Sequence, residues 1–80
     1  MPKAGPIKHR DFIRYSMLIQ WSDEDEAYVV TLPEFPTWHT HGATYEAAAR
    51  NGEEALRLVI EDYQKRGAPL PRPAQFAEMA

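Results

Sequence analysis

A long amphipathic segment, residues 44–67, constrains the fold of this chain more than any other feature. Successive residues of an α-helix are rotated by about 100°, and at this spacing the apolar residues of the segment fall on one face. These residues are Tyr45, Ala48, Ala49, Gly52, Ala55, Leu56, Val59, Ile60 and Tyr63. Thr44 is a good N-cap, and Gly67 after two basic residues is typical of a helix C-terminus. The pattern predicts one helix of about 22 residues, ~33 Å long.

Two positions in this helix depart from the amphipathic pattern. Gly52 lies in the middle of the apolar stripe, where glycine costs ~1 kcal/mol relative to alanine. It indicates either that another backbone comes close at this point or that the site tolerates a poor helix former. Leu58 lies on the polar side, where it is either an ordinary exposed side chain or a subunit contact.

Length and composition limit the class of protein. The 80 residues suffice for one small domain with a modest core. The absence of cysteine excludes disulfide and thiol chemistry and is consistent with a reducing compartment. Because no apolar run could span a membrane and no signal-peptide pattern follows Met1, we expect a cytoplasmic protein without a membrane partner. The formal net charge of −3 argues against nucleic acid as the main partner.

The residues before the helix predict three β-strands. Residues 12–21 and 27–32 alternate in the manner of strands, and the polar residues 22–26 between them have the length of a hairpin connection. Residues 33–37 cannot continue a central strand, because their two prolines lack the backbone N–H that a sheet needs. A short third strand is predicted for residues 38–42. The order of elements is therefore β-β-β-α.

This order predicts an α+β fold, in which one long helix packs on one face of an antiparallel three-stranded sheet. We expect residues 1–14 to form a flexible basic N-terminal arm, residues 15–73 to form the α+β domain, and residues 74–80 to form a tail. No internal repeat is present.

Both faces of the predicted hairpin carry apolar side chains. These are Phe12, Leu18 and Val29 on one face, and Met17, Ile19 and Val30 on the other. One helix can cover only one face, and a solvated second face would be more polar. The second face must be covered by the tail, by a second subunit or by a different protein, and we expect at least a homodimer.

The candidates for chemistry are few. His39 and His41 share a strand face and could chelate a metal, but a zinc site needs a further ligand that the sequence does not offer. The alternative is a pair of polar side chains on an edge strand or at an interface. The acidic residues 23–26 lack the glycine and the terminal glutamate of a calcium loop, and no phosphate loop or nucleophile elbow is present. We therefore predict no catalytic residue, no metal and no cofactor.

A series of motifs runs in a recognisable order along the chain. Tyr15 opens an apolar strand, an acidic turn follows, and Ala-Tyr-Val-Val at residues 27–30 leads to Leu-Pro-Glu-Phe-Pro at residues 32–36. The helix contains Glu-Ala-Leu at residues 54–56, and Gly-Ala-Pro-Leu-Pro-Arg-Pro occupies residues 67–73. In order and spacing these motifs resemble the HicB-like antitoxins, the inhibitory members of bacterial and archaeal toxin–antitoxin pairs.

The resemblance implies a partial ribonuclease-H-like α+β fold without catalytic carboxylates. It also implies assembly into dimers or tetramers and binding to a small HicA-type toxin that cleaves messenger RNA. Thr37 stands where the family commonly has glycine, and Trp38 replaces a small residue, so the contact surface here is expected to differ. Many members carry a C-terminal DNA-binding segment, for which the residues after Pro73 leave no room, and direct operator binding is not expected.

We therefore expect a non-enzymatic antitoxin that covers its toxin. Residues 33–41 are the expected contact surface, because the prolines would hold two large aromatic side chains in a rigid, partly exposed loop. The expected partner-binding residues are Glu34, Phe35, Trp38, His39 and His41. In the competing interpretation, Phe35 and Trp38 only close the end of the core.

Three alternatives remain open, the first of them from the resemblance and the other two from the residues. One is a regulatory module of the same family without a toxin. The second is a nucleic-acid-binding module that uses the basic residues of the N-terminal arm, which are Lys3, Lys8, Arg10 and Arg14. The third is a small enzyme that uses His39 and His41.

Overall fold

The computed structural model describes residues 14–76. Three strands, β1 (Leu18–Ser22), β2 (Ala27–Thr31) and β3 (His39–Gly42), are followed by the helix α1 (Tyr45–Arg66). The strands form one antiparallel sheet in the order β1-β2-β3. The predicted α+β architecture is confirmed.

The helix begins and ends where its sequence signals indicate. The Thr44 hydroxyl accepts a hydrogen bond of 3.0 Å from the backbone N–H of Ala47, which satisfies one of the free donors of the first turn. Gly67 has a left-handed backbone with φ of 67°. Its N–H donates to the carbonyl of Gln64 at 3.2 Å, and the next N–H, of Ala68, donates to Tyr63 at 2.9 Å. Both ends are therefore capped within the chain itself.

The apolar stripe of α1 packs against one face of the sheet. The register places Ile19, Val30 and Thr40 in one row across the strands, and Val30 is fully buried beneath the helix. The buried cluster consists of Val30, Leu32, Phe35, Ala48, Ala55, Leu56, Val59 and Ile60. Among the stripe residues, Tyr45 is an exception to the predicted burial, since it lies in the first turn of α1 and is exposed.

The first strand is shorter than predicted. It begins at Leu18, which pairs with Thr31, the last residue of β2. Pro33 follows shortly afterwards and cannot donate to a sheet, so the residues before Leu18 have no paired partner on β2. Phe12 and Ile13 lie outside the described residues.

Two glycines mark close approaches. At Gly52 an added methyl group would overlap the Met17 sulfur and lie 3.1 Å from Val30 Cγ1, so side chains rather than a second backbone come close there. At Gly42 the added methyl group would lie 2.6 Å from Ala48 Cα and 2.7 Å from the Ala47 carbonyl carbon. The close backbone approach that the sequence suggested for Gly52 therefore occurs at Gly42, where β3 passes beneath α1.

The second face of the sheet carries the expected Leu18 and Val29 among polar side chains. It carries one row of Leu18, Thr31 and His39 and another of Gln20, Val29 and His41. Leu18 is exposed on this open face, and Val29 is half-buried. Phe12, which we expected here, falls outside the described range. Covering of the open face by a partner stays a prediction.

Candidate functional site

The segment between β2 and β3 consists of two consecutive tight turns. The N–H of Phe35 donates to the carbonyl of Leu32 at 2.8 Å, and the N–H of Trp38 donates to the carbonyl of Phe35 at 2.9 Å. Pro33 and Pro36 each occupy the second position of a turn, where the fixed φ of proline is favourable. Residues 33–37 therefore leave the sheet in two hydrogen-bonded turns, each containing a proline.

Phe35 is part of the core. Its side chain is only 2% exposed, and its ring centroid lies 5.0 Å from that of Tyr15 and 5.4 Å from that of Tyr63. The expectation of a partly exposed Phe35 was wrong, because the first turn directs the ring inward between two other aromatic rings. The competing interpretation, in which Phe35 closes the end of the core, describes its position.

The carboxylate of Glu34 is engaged within the chain. It accepts hydrogen bonds from the backbone N–H and the hydroxyl of Ser16, both at 3.0 Å, and from the backbone N–H of Ala74 at 2.8 Å. At the same end of the domain, the Tyr15 hydroxyl donates to the carbonyl of Pro71 at 2.7 Å. We call the group of Ser16, Glu34 and Ala74 the Glu34 clasp. It ties the segments before β1 and after α1 to the turn between β2 and β3.

The clasp also determines the acidity of Glu34. Partial burial raises the pKa of the carboxyl group, but the hydrogen bonds from Ala74 and Ser16 stabilise the charged form more strongly, and the pKa is lowered overall. Because the partners are 18 and 40 residues away in sequence, no local pattern could have indicated this role.

The lowered pKa predicts how the clasp responds to acid. Its stabilising contribution is fully present above the unfolded-state pKa of Glu34, near 4.5, and is lost as the pH falls through the lower folded-state pKa. We expect Glu34→Gln to lower the free energy of unfolding at pH 7 by about 1 kcal/mol, a value reduced for the partial exposure of the group. Urea unfolding at pH 7 and near pH 3 should show this deficit shrinking in acid.

Glu24→Gln, a change of an exposed acidic residue in the hairpin turn, is the control for this series. It should show a much smaller deficit at pH 7. A Glu34→Gln deficit that stays constant or grows in acid would contradict the role of the ionised clasp.

Trp38 and the two histidines lie on or beside the edge strand β3. Trp38 is half-buried against the core, whereas His39 and His41 are exposed on the open face. The Asn51 side-chain amide donates to the carbonyl of His41 at 2.8 Å and so holds the edge strand against α1. His39 and His41 therefore share one face of the strand, as predicted.

A shallow groove runs between β3 and α1. Its lining residues are Trp38, His39, Thr40, Asn51, Glu54, Ala55 and Leu58. The structure therefore brings Trp38 and Leu58 to one surface, although the sequence offered no reason to connect them. We call this surface the Trp38 groove.

The chemistry available to the histidines is limited by their surroundings. Within residues 14–76, no group of three or more histidine, cysteine, aspartate or glutamate side chains is placed to hold a metal ion. In the same range, every buried side-chain nitrogen or oxygen atom has a hydrogen-bond partner.

No helix in the described part of the chain is long and apolar enough to cross a membrane.

These features define a small α+β domain, in which Glu34 and Phe35 stabilise the fold. The family model for the HicB-like antitoxins of bacterial toxin–antitoxin systems matches residues 15–80. The chain therefore belongs to the HicB-like antitoxin family, which confirms the resemblance seen in its motifs. An antitoxin-like role with a toxin as partner follows from this membership, and the family favours a non-enzymatic function.

Two relatives support the assignment. A UPF0150 protein of Thermoplasma acidophilum is 38% identical over 60 residues, which cover 75% of this chain and 86% of that protein. A UPF0150 protein of Thermotoga maritima is 35% identical over 48 residues, which cover 60% of this chain and 64% of that protein. No solved structure matches the chain.

Proposed function

We propose that this protein is the antitoxin of a type II toxin–antitoxin system and neutralises a small HicA-type, messenger-RNA-cleaving toxin by binding and masking it. The match to the antitoxin family over residues 15–80 carries this proposal. Residues 33–41 support masking because Glu34 and Phe35 hold the segment in place. Trp38, His39 and His41 are at least partly exposed and can contact a partner. A toxin that cleaves messenger RNA acts in the cytoplasm, and we place the antitoxin there as well.

Within this proposal, the toxin contacts the Trp38 groove and the exposed His39 and His41. Glu34 and Phe35 act indirectly, because the clasp and the core hold the two turns that position Trp38. A large aromatic side chain on a rigid loop loses little conformational freedom on binding, which is typical of an interface hot spot. Leu58, on the other wall of the groove, extends the apolar part of this surface.

Co-expression with a toxin encoded by a neighbouring short reading frame tests the proposal. We expect the wild-type chain to restore growth and to retain the toxin in a pull-down. Trp38→Ala should weaken the complex by about tenfold or more while its circular dichroism spectrum stays that of a folded protein.

Leu70→Ala, which removes an exposed apolar side chain outside the groove, is the matched control and should rescue growth like the wild type. Undiminished rescue by Trp38→Ala would move the contact elsewhere on the protein. Failure of the wild-type chain to rescue growth would remove the antitoxin function for that pair.

The proposed assembly is a homodimer or tetramer in which a second copy covers the β1 side of the open face, around Leu18, and leaves His39 and His41 on the β3 edge to the toxin. Light scattering at micromolar concentration should give at least twice the chain mass of 9.2 kDa. Leu18→Glu places a charge on the open face and should shift the mass toward one chain, because an apolar contact there would then bury an unpaired carboxylate. A wild-type mass equal to that of one chain would contradict the assembly.

A further inference from the structure

Three aromatic rings form a continuous ladder at the hairpin end of the domain. The ring centroids of Trp21 and Tyr28 are 5.1 Å apart, and those of Tyr28 and Tyr45 are 4.3 Å apart. Tyr28 pairs with Trp21 across the β1–β2 hairpin, and Tyr45 is the first residue of α1. We call these three residues the aromatic ladder. It lies apart from the Trp38 groove, because Tyr28 pairs with Gly42 at the far end of β3.

The outer rings of the ladder are exposed and held in place. Trp21 is 52% exposed and Tyr45 is 63% exposed, although each contacts the half-buried Tyr28. The indole N–H of Trp21 donates to Asp23 Oδ1 at 2.7 Å, which fixes the orientation of that ring. Single exposed apolar residues are common, but here two exposed aromatic rings are joined through a third ring, a grouping of the kind that marks interaction sites. The patch is preorganised for a partner.

The charge around the ladder indicates what kind of partner fits. Residues 23–26, directly after β1, are four exposed carboxylates, and Glu46 follows Tyr45 on α1. The nearby base Arg50 forms a salt bridge with Glu46, in which Nη2 lies 3.4 Å from Oε2. Basic residues such as Lys65 and Arg66 belong to the opposite end of α1, ~30 Å away along the helix axis. The hairpin end is thus both aromatic and strongly acidic.

We propose that the aromatic ladder docks a positively charged protein surface, with an arginine guanidinium lying against the exposed rings. Guanidinium groups stack on aromatic faces, and further basic groups would pair with the surrounding carboxylates. An enzyme that binds messenger RNA needs a basic surface, so this partner is the toxin, which would contact the ladder through that basic surface in addition to contacting the Trp38 groove. The identification of the partner rests on the proposed function, whereas its chemistry rests on the ladder and the carboxylates around it.

Other occupants fit the patch less well. Nucleic acid would bring its phosphates against the carboxylates of residues 23–26, which repel them. A second copy docked symmetrically on the same patch would place two acidic turns against each other. A second copy docked through its basic end would offer Lys65 and Arg66, of which Arg66 already pairs with Asp62 at 3.0 Å. A cationic partner avoids each of these conflicts.

Toxin binding by ladder variants provides the first test. Tyr45→Ala and Trp21→Ala should each weaken binding of the purified chain to the neighbouring toxin by about tenfold or more. Phe76→Ala removes an exposed aromatic side chain outside the ladder and should bind like the wild type. Because Tyr45 is mostly exposed, its variant should keep the wild-type circular dichroism spectrum and melting temperature, so that weaker binding is not due to unfolding.

A peptide titration tests the chemistry without the toxin. The chain has two tryptophans, so Trp38→Phe leaves Trp21 as the fluorescent reporter. Oligo-arginine should change this fluorescence saturably, about threefold or more tightly than oligo-lysine of equal length, because arginine stacks on aromatic rings more readily. Added salt should weaken the response, and Tyr45→Ala in the same background should reduce it.

The two tests separate the possible failures. If the wild type binds the toxin and the ladder variants bind it equally well, the ladder is not the docking surface, but the antitoxin function stands. If the wild type binds no toxin, the proposed function fails for that pair and the peptide titration decides alone. The cationic partner would be overturned if oligo-arginine gave no saturable signal or if oligo-lysine gave an equal response. It would also be overturned if an RNA oligonucleotide quenched the fluorescence, or if the chain self-associated and the ladder variants abolished this.

Discussion

Replacing Gly42 with alanine should leave the protein largely unfolded at 37 °C. The new methyl group would lie 2.6 Å from Ala48 Cα and 2.7 Å from the Ala47 carbonyl carbon, and both atoms belong to the backbone of α1. A helix backbone cannot move aside as a side chain can, so β3 and α1 would have to separate. We expect a loss of about 3 kcal/mol or more, a large part of the stability of so small a domain. Thermal and urea unfolding followed by circular dichroism measure this loss.

Gly52→Ala is the matched control for this prediction. Here the methyl group meets the flexible end of Met17 and the Val30 side chain rather than backbone, and Met17 can change its rotamer. The gain in helix propensity, about 1 kcal/mol, offsets much of the cost of this rearrangement. We expect a change within about 1 kcal/mol of the wild type. Equal destabilisation by the two alanine variants would show that the β3–α1 contact is not the tighter one.

Replacing Leu56 with alanine should cost about 2–4 kcal/mol. Leu56 is 1% exposed and belongs to the buried cluster between α1 and the sheet. Its truncation removes apolar atoms from the core and leaves a cavity that the surrounding backbone fills only in part. The melting temperature should fall by about 8 °C or more, at roughly 4–8 °C per kcal/mol for a domain of this size.

Leu58→Ala makes the same chemical change two residues away on the same helix. Leu58 is 47% exposed at the edge of the Trp38 groove, so its truncation should cost less than about 1 kcal/mol. Glu54→Ala, on the polar side, should cost under ~0.5 kcal/mol. If Leu56→Ala and Leu58→Ala melt at the same temperature, the assigned facing of α1 is wrong.

The helix could be predicted from sequence because its signals are local. The cap at Thr44, the left-handed Gly67 and the period of the apolar residues all lie within the segment that they define. The first strand was predicted too long, because its start depends on where its partner β2 ends rather than on its own alternation. The length of a strand therefore depends on two segments, and it cannot be predicted from the sequence of one of them.

The candidate site was predicted less well, for a related reason. Proline spacing correctly indicated that residues 33–37 do not continue a strand, but it could not show whether Phe35 faces inward or outward. The role of Glu34 depends on Ser16 and Ala74, which approach it only in the folded chain. The aromatic ladder likewise joins Trp21, Tyr28 and Tyr45 from three different elements. In each case the decisive contact joins residues that are distant in sequence.

The Glu34 clasp has a practical consequence for attaching other groups to this domain. Ser16 and Ala74 both donate to one carboxylate, so residues near the two ends of the described region lie side by side. Two labels or fused domains joined before Ser16 and after Ala74 would emerge side by side, with an effective local concentration in about the millimolar range for short flexible linkers. Energy transfer between such a pair would be strong in the folded protein and would fall when the domain unfolds. The hairpin end would stay clear of both attachments.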